Sequence, residues 1–277
     1  MKRIVTIQDI SCIGRCSLTA ALPILSVCGI ETAVVPTAVL SGHTAFPDFT
    51  FRDLTDDILP IAEVWRSQNI TFDSIYTGYI GSERQIEIVS DFIDMFRTDK
   101  TLVVVDPAMA DNGVLYKGFP DAFVSKMKTL CQKADIILPN MTEACLLLGR
   151  PYRETASESE VRKILHGLVE ETHADAAVLT GVSREAGHLG AASLCKDGSY
   201  DYCSGIWYPE RFHGTGDMFA SVITGALVRG LSLHDALALA VDFTAECARL
   251  TLEDPDRRWY GVNFEQALPM LMRRLDP

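Results

Sequence analysis

The sequence predicts an α/β protein, a three-layer αβα sandwich with a mostly parallel central sheet and a small β-hairpin insertion. Short apolar runs typical of strands alternate with segments of helical periodicity over most of the 277 residues. This alternation is the pattern of βαβ units. Runs such as residues 102–105 are apolar at every position, which is typical of parallel strands covered on both faces. Ligands of such sheets bind at the carboxyl ends of the strands.

The first two thirds of the chain carry the alternation of strands and helices. Each predicted strand is a short apolar run, and each predicted helix repeats apolar residues three and four positions apart. The predicted strands are residues 4–7, 32–39, 74–79, 102–105, 135–138 and 176–179. The predicted helices are residues 16–28, 54–66, 82–96, 120–131, 141–148 and 158–171.

The pattern changes after residue 188. Residues 191–195 and 200–204 resemble two strands, and the turn-rich residues 196–199 between them predict a β-hairpin. Three more helices are predicted at residues 215–229, 233–250 and 264–273, of which Gly230 closes the first. Because no internal repeat or low-complexity linker interrupts the chain, residues 1–277 are predicted to form a single domain.

The composition excludes several classes of protein. Lys and Arg total 25 against 37 Asp and Glu, so the net charge is -12, and without a basic run the chain is not expected to bind nucleic acid. The apolar start is cut short by Gln8 and Asp9, which argues against a signal peptide. No segment approaches the roughly 20 apolar residues that span a bilayer, so we expect no membrane association.

The eight cysteines indicate a reducing environment. They are scattered through the sequence and form no Cys-x-x-Cys pair, as is typical of reduced thiols in a cytoplasmic protein. Cys12 and Cys16 are the one close pair, which we interpret as a loop residue and a helical residue rather than a metal or redox site.

Residues 213–217, His-Gly-Thr-Gly-Asp, are the most informative motif. Apolar residues follow them at helical spacing, so the turn is predicted to lie at a helix N-terminus. Backbone N–H groups at such a terminus bind anions, and glycines let a phosphate oxygen approach closely. Asp217 is either a base at this phosphate site or an acid that complements the helix dipole, a contribution of about 0.3–1 kcal/mol. In both cases we expect a lowered pKa that keeps Asp217 ionised.

Polar or glycine residues follow four successive predicted strands at the expected ligand edge. These junctions are residues 8–14, 41–44, 78–81 and 106–107. Four polar junctions in succession indicate a binding face, although each alone is an ordinary turn or cap. Asn140 and Glu143 then open a helix, where they are either a capping box or a pair of side chains that faces the same pocket.

Other nucleotide-binding and metal-binding classes lack their motifs in this chain. A dinucleotide-binding fold requires Gly-x-Gly-x-x-Gly directly after the first strand, and a P-loop requires Gly-x-x-x-x-Gly-Lys-Ser/Thr. Neither string occurs, and the six histidines are isolated rather than spaced as zinc ligands.

With these motifs in order, the chain resembles the ribokinase superfamily and, within it, the pyridoxal (vitamin B6) kinases over essentially its whole length. Residues 214–217 resemble the superfamily's anion-hole motif, in which the Asp is the general base. Residues 140–143 resemble its magnesium-associated Asn-x-x-Glu motif. Residues 41–44 (Ser-Gly-His-Thr), 77–79 (Thr-Gly-Tyr) and 106–109 (Asp-Pro-Ala-Met) resemble three segments typical of pyridoxal kinases.

The resemblance implies ATP-dependent phosphorylation of the 5'-hydroxymethyl group of pyridoxal, pyridoxamine or pyridoxine, in the salvage of pyridoxal 5'-phosphate. It implies Mg2+ as cofactor, and a K+ requirement and a homodimer are further expectations. The implied catalytic residues are Asp217 as base and Gly214, Thr215 and Gly216 as anion hole. The implied substrate residues are Asp9, Ser11, His43, Thr44 and Tyr79. The implied ATP-side residues are Asp111, Tyr116, Asn140, Thr180 and Gly181, with Asp106 and Glu143 at the metal.

The chain departs from the family pattern at two places. Asp9 stands where the family commonly has Ser, with Ser11 two residues on, so either residue is a candidate to contact the substrate. Ala110 replaces the Gly that usually follows the Asp-Pro-x-Met segment.

Three other functions are compatible with the same motifs. They are a hydroxymethylpyrimidine kinase of thiamine biosynthesis, a ligand-binding relative that has lost catalysis, and a sugar kinase. Tyr79 and Phe46 favour an aromatic substrate over a sugar. The sequence does not distinguish among the B6 vitamers, because all three share the hydroxymethyl group.

Overall fold

A computed structural model describes residues 1–210 and 212–275 and confirms the predicted three-layer α/β architecture. The strands are β1 (Arg3–Ser11), β2 (Glu31–Leu40), β3 (Phe51–Asp53), β4 (Ser74–Thr77), β5 (Leu102–Val105), β6 (Ala110–Asp111), β7 (Val114–Leu115), β8 (Ile136–Ile137), β9 (Ala176–Val182), β10 (His188–Cys195) and β11 (Tyr200–Ile206). The helices are α1 (Ser17–Val27), α2 (Thr55–Ser67), α3 (Glu83–Phe96), α4 (Ala122–Cys131), α5 (Met141–Leu147), α6 (Glu158–Thr172), α7 (Thr215–Val228), α8 (Leu233–Glu253) and α9 (Phe264–Leu275).

The central sheet has the strand order β11-β10-β9-β8-β5-β4-β1-β2-β3. The six strands from β9 to β2 in this order are parallel, and β3, β10 and β11 are antiparallel to their neighbours. The carboxyl ends of the six parallel strands therefore meet at one edge of the sheet, where the candidate site residues lie.

Two apolar cores cover the two faces of the sheet. Val5 and Ile7 of β1 pack into the core formed with helices α2 to α6. Ile4 packs into the opposite core, which is formed with α1, α7, α8 and α9. Neighbouring residues of one strand thus face different layers, because successive side chains of a strand point to opposite faces.

The structure differs from the sequence prediction in three elements. The predicted hairpin is present as β10 and β11, but it extends the central sheet at one edge rather than forming a separate insertion. A smaller ribbon, β6 and β7, was not predicted, because strands of two residues carry no alternation signal. β1 continues to Ser11, so Gln8 and Asp9 lie within the strand rather than in the junction after it.

The register of β1 against β2 shifts between Gln8 and Ile10. Such an irregularity re-aims the side chain next to it and is common beside functional sites. Asp9 occupies this position.

The eight cysteines, all within the described residues, form no disulfide. No described helix has both the length and the apolar character needed to cross a bilayer.

Candidate active site

The turn before α7 has the backbone geometry of an anion cradle. Gly214 has φ +80°, and a Cβ at this position would lie 2.2 Å from the carbonyl oxygen of Arg15, so glycine alone fits. At Gly216 a Cβ would meet no atom within 4 Å, so the space in front of the turn is open. Met218 N–H donates to Gly214 O at 3.1 Å, which leaves the N–H groups of Thr215 and Gly216 without an acceptor within the helix.

Asp217 lies in the first turn of α7 and is half-buried. Its pKa is raised to about 6, chiefly by burial, with the charge of Asp9 adding to the rise and the backbone N–H of Ser17 opposing it. The sequence prediction of a lowered pKa was therefore wrong, because loss of hydration outweighs the helix dipole here. A carboxylate of this pKa is still mostly ionised at neutral pH and is a stronger base than an ordinary Asp.

A second buried carboxylate, Asp106, follows β5. Burial raises its pKa, and the charges of Glu143 and Asp217 add to that rise. Among the described residues its carboxylate takes part in neither a salt bridge nor a hydrogen bond. The negative charges of Glu143 and Asp217 near Asp106 are therefore not offset by a cationic partner of Asp106 among the described residues.

Asn140 and Glu143 form the capping box that was one of the two interpretations of their spacing. Asn140 Oδ1 accepts from Glu143 N–H at 3.0 Å, and Glu143 Oε2 accepts from Asn140 N–H at 2.8 Å. Glu143 Oε1 also accepts from Met109 N–H at 3.0 Å, and Asn140 Nδ2 donates to Ala110 O at 2.8 Å. The pair therefore caps α5 and also holds the loop that carries Asp106.

Glu143 and Asp106 are neighbouring buried acids. Burial raises the pKa of Glu143, while the N–H groups of Asn140, Met109 and Ala110 oppose the rise. Because Glu143 accepts these N–H donors and Asp106 accepts none from the described residues, Glu143 retains its charge more readily.

The carboxylate oxygens of Asp106 and Glu143 are the kind of ligand that suits a hard divalent cation, which keeps some of its bound water. No group of three His, Cys, Asp or Glu among residues 1–210 and 212–275 has the arrangement of an all-protein metal cage. Mg2+ does not need such a cage, because it is usually held by one or two carboxylates together with substrate phosphates and water. Asp106 has oxygens available for this role, whereas both oxygens of Glu143 accept backbone N–H groups.

The ATP-side residues come together in part. Thr180 N–H donates to Pro139 O at 3.0 Å, and Thr180 and Asn140 form a parallel β-bridge. Gly181 has φ +76° with open space where a Cβ would stand. Tyr116 has its pKa raised by burial and then by the charges of nearby acids, Glu143 first among them. Asp111 is exposed at the end of β6.

The substrate-side residues Asp9, Ser11 and Tyr79 form one group. Asp9 and Ser11 are buried, and Ser11 Oγ donates to Asp9 Oδ2 at 2.8 Å. Burial raises the pKa of Tyr79 to about 12, and the charge of Asp9 adds to the rise. The Tyr79 ring stacks on Phe119 with centroids 5.8 Å apart. Thr44 is exposed on the loop after β2.

His43 is fixed by the backbone on both sides of its ring. Ala45 N–H donates to His43 Nδ1 at 3.2 Å, so Nε2 carries the hydrogen that is donated to Tyr260 O at 3.0 Å. Burial lowers the pKa of His43 and favours the neutral ring. With both ring nitrogens engaged, His43 shapes the pocket rather than offering a hydrogen bond.

An aromatic cluster joins the substrate loop to the anion turn. It consists of His43, Phe46, His213, Trp259 and Tyr260. The rings of His43 and His213 lie 4.7 Å apart, and those of Phe46 and Trp259 also 4.7 Å. Sequence reasoning missed Trp259 and Tyr260, because they lie in an irregular segment that carries no motif.

Comparisons with known proteins find similar kinases. The family model described as phosphomethylpyrimidine kinase matches residues 37–256. A Bacteroides thetaiotaomicron protein provisionally named a phosphomethylpyrimidine kinase, solved with pyridoxal, is 40% identical, with 98% of this chain and 95% of that chain covered and a TM-score of 0.93. The pyridoxal kinase of Lactobacillus plantarum is 33% identical, with 99% and 97% covered and a TM-score of 0.91. The hydroxymethylpyrimidine/phosphomethylpyrimidine kinase of Bacillus subtilis is 28% identical over 80% of this chain and 78% of its own length.

Proposed function

The chain belongs to the phosphomethylpyrimidine kinase family, and on that premise we propose that it transfers the γ-phosphoryl group of ATP to the hydroxymethyl group of a B6 vitamer. One observation carries the proposal: an open anion turn at the start of α7 holds a half-buried carboxylate, Asp217, whose pKa is about 6. The similarity to a protein solved with pyridoxal and to a pyridoxal kinase supports the choice of substrate.

Asp217 acts as the general base in this proposal. Phosphoryl transfer passes through a loose transition state, so positioning and charge stabilisation matter more than base strength. The substrate hydroxyl oxygen attacks the γ-phosphorus, its proton moves to the Asp217 carboxylate, and ADP leaves. The N–H groups of Gly214, Thr215 and Gly216 stabilise the charge on the transferring group.

The opposite side of the site is assigned to the nucleotide. Asn140, Thr180 and Gly181 line the end of β9, and Asp111 and Tyr116 lie on and beside the β6–β7 ribbon. Asp106, with Glu143 acting through water, would hold Mg2+, which when bound would neutralise charge on the ATP phosphates. Asn140 and Glu143 also keep the loop that carries Asp106 in place.

Asp9 is the substrate contact that we favour over Ser11. The Ser11 hydroxyl donates its one hydrogen to Asp9 and so has none left for a ligand, whereas a carboxylate can accept several hydrogen bonds. We assign the ring contacts to Tyr79 and Thr44, with His43 holding the substrate loop.

A competitive rate comparison tests the substrate assignment. Pyridoxal, pyridoxine, pyridoxamine and hydroxymethylpyrimidine are offered together with ATP, and the initial rates of the four phosphorylated products are measured. We expect kcat/KM for at least one B6 vitamer to exceed that for hydroxymethylpyrimidine. A preference for hydroxymethylpyrimidine over all three vitamers would contradict the assignment.

Hydroxymethylpyrimidine kinase is the second candidate function. It is favoured by the description of the matching family and by the Bacillus subtilis relative. It uses the same hydroxymethyl chemistry, so Asp217 and the anion turn have the same roles in both.

A further inference from the structure

The segment Gly14–Ser17, between β1 and α1, has an unusual backbone. Arg15 has φ +51° and Ser17 has φ +47°, a left-handed conformation that residues with a Cβ seldom adopt. Two such residues within three positions persist only where the surrounding structure holds them, and residues of this kind cluster at functional sites. The residues packed around Gly14–Ser17 hold this segment in its conformation.

Arg15 is packed between two loops of the site. A Cβ on Gly214 would lie 2.2 Å from Arg15 O, so the anion turn rests directly on the backbone of this residue. A Cβ on Gly261 would lie 2.7 Å from Arg15 Cβ and 2.8 Å from Gly14 O. The anion turn and the α8–α9 connection therefore both contact the same short stretch of chain.

The Arg15 side chain is anchored on the α8–α9 connection. Its guanidinium donates to Asn263 Oδ1, and its Nε lies 3.1 Å from Glu265 Oε1. Asn263 is buried and is itself fixed, since its Nδ2 donates to Asp254 Oδ2 at 2.7 Å and its N–H donates to Thr251 Oγ1 at 2.7 Å. The strained residue is therefore tied to a buried, hydrogen-bonded residue, Asn263.

Ser17 lies on the other side of the same segment and reaches both acids of the reacting region. Its backbone N–H opposes the rise in the pKa of Asp217, and its hydroxyl opposes the rise in the pKa of Asp9. A displacement of Arg15 is thus transmitted in two ways, through Gly214 on one side and through Ser17 on the other.

We propose that Arg15 is a positioning residue for phosphoryl transfer: anchored by Asn263 and Glu265, it sets the place of the anion turn and of the Ser17 N–H that orients Asp217. The inference rests on the proposed role of Asp217 as base. Arg15 itself contacts neither reacting group and acts through Gly214 and Ser17.

The test compares Arg15→Ala and Arg15→Lys with wild type. We expect Arg15→Ala to lower kcat by about 10- to 100-fold, the cost of a displacement near 1 Å, with much smaller changes in KM. Loss of the Ser17 N–H also raises the pKa of Asp217, so the acid limb of the pH–kcat profile moves to higher pH. Arg15→Lys keeps the positive charge, although the lysine side chain is shorter and extends less far towards Glu265. We expect its kcat to lie between those of Arg15→Ala and wild type.

Asn69→Ala is the matched control. Asn69 also has a left-handed backbone, φ +55°, but lies at the end of α2, away from the site. We expect this variant to lose thermal stability while kcat and the pH profile stay unchanged. If Arg15→Ala does not fold, Asn263→Ser, which removes the anchor of the guanidinium, replaces it.

Two outcomes overturn the inference, and they differ from failure of the proposed function. If Arg15→Ala keeps wild-type kcat and acid limb while Asp217→Asn is inactive, Arg15 has no positioning role. If Asp217→Asn is active, Asp217 is not the base, and the catalytic part of the inference fails with it. Crystal structures of wild type and Arg15→Ala then test only whether Arg15 positions the Asp217 carboxylate. A shift of the Asp217 carboxylate by more than about 0.5 Å supports it, and a smaller shift contradicts it.

Discussion

At the scale of single residues, the two glycines of the anion turn differ in the reason for which a glycine stands there. Gly214 is required by its own backbone, which is left-handed and pressed against Arg15, whereas Gly216 has open space around it. A Cβ at Gly216 meets no protein atom within 4 Å, and we propose that this space receives a phosphate oxygen. Substitution at Gly216 therefore separates function from folding.

We predict that Gly216→Ala keeps or slightly raises stability while it lowers turnover. Alanine in the first turn of a helix gains about 0.4–1 kcal/mol over glycine where its backbone is unstrained. Its methyl group occupies the space in front of the Thr215 and Gly216 N–H groups. Thermal unfolding and kcat measured on the same sample check this, with Gly214→Ala as the comparison that loses both. Full kcat in Gly216→Ala would contradict the anion role.

The pH dependence of the reaction reports on Asp217. Because its pKa is about 6, the reactive carboxylate is lost as pH falls through 6, and kcat/KM is expected to drop tenfold per pH unit below that point. The profile is corrected for the ionisation of ATP and substrate, each titrated alone. An acid limb that begins below about pH 4.5 would mean that Asp217 is not desolvated or is not the base.

The sequence predicted the residues of the turn but not their electrostatics. Residues 214–217 and the Asn140 and Glu143 pair are contiguous motifs, which is why they were found. The pKa of Asp217 depends on burial and on Asp9 and Ser17, which are about 200 residues away in the chain. Neither spacing nor helix dipole carries that information.

At the scale of elements, the carboxyl edge of the sheet concentrates negative charge. The strand-end loops bring Asp106, Glu143 and Asp217 together, and the pKa of each is raised, first of all by burial. The folded protein therefore binds protons that the unfolded chain releases at lower pH. By linkage, the free energy of unfolding declines as pH rises from about 4, the unfolded carboxyl pKa, through the folded values.

We predict that Asp106→Asn removes part of this pH dependence. At pH 8 the variant is expected to be more stable than wild type, because it places no negative charge at this buried position beside Glu143 and Asp217. Near pH 4.5 the difference in the free energy of unfolding between variant and wild type shrinks, because the wild-type Asp106 carboxyl takes up its proton as the pH falls. Urea unfolding at both pH values measures this, with Asp94→Asn at an exposed ion pair as control. Equal pH slopes for Asp106→Asn and wild type would refute the assignment.

The helices and most strands followed from the sequence, whereas three of the short strands, β3, β6 and β7, did not. Every helix predicted from periodicity exists in the described residues, with ends displaced by a few positions. β3 and the β6–β7 ribbon have two or three residues each, too few to show alternation. Their pairing depends on partners that the local sequence does not reveal.

At the scale of the whole molecule, we predict a homodimer. The resemblance to pyridoxal kinases implies it, and β11 offers an open sheet edge that ends in the exposed Ile206 and Trp207. Light scattering after size exclusion is expected to give twice the mass of one chain, and Ile206→Lys is expected to shift it towards one. A monomer at micromolar concentration would contradict the prediction.

The central claim is that Asp217 deprotonates the alcohol that receives the phosphoryl group. Its most direct test is Asp217→Asn, assayed for phosphorylation of the preferred vitamer and, separately, for ATP binding by calorimetry. We predict that turnover falls by about 10²- to 10⁴-fold, the range for a positioned acid–base group, while ATP affinity stays close to that of wild type. Near-wild-type turnover in Asp217→Asn would contradict the claim.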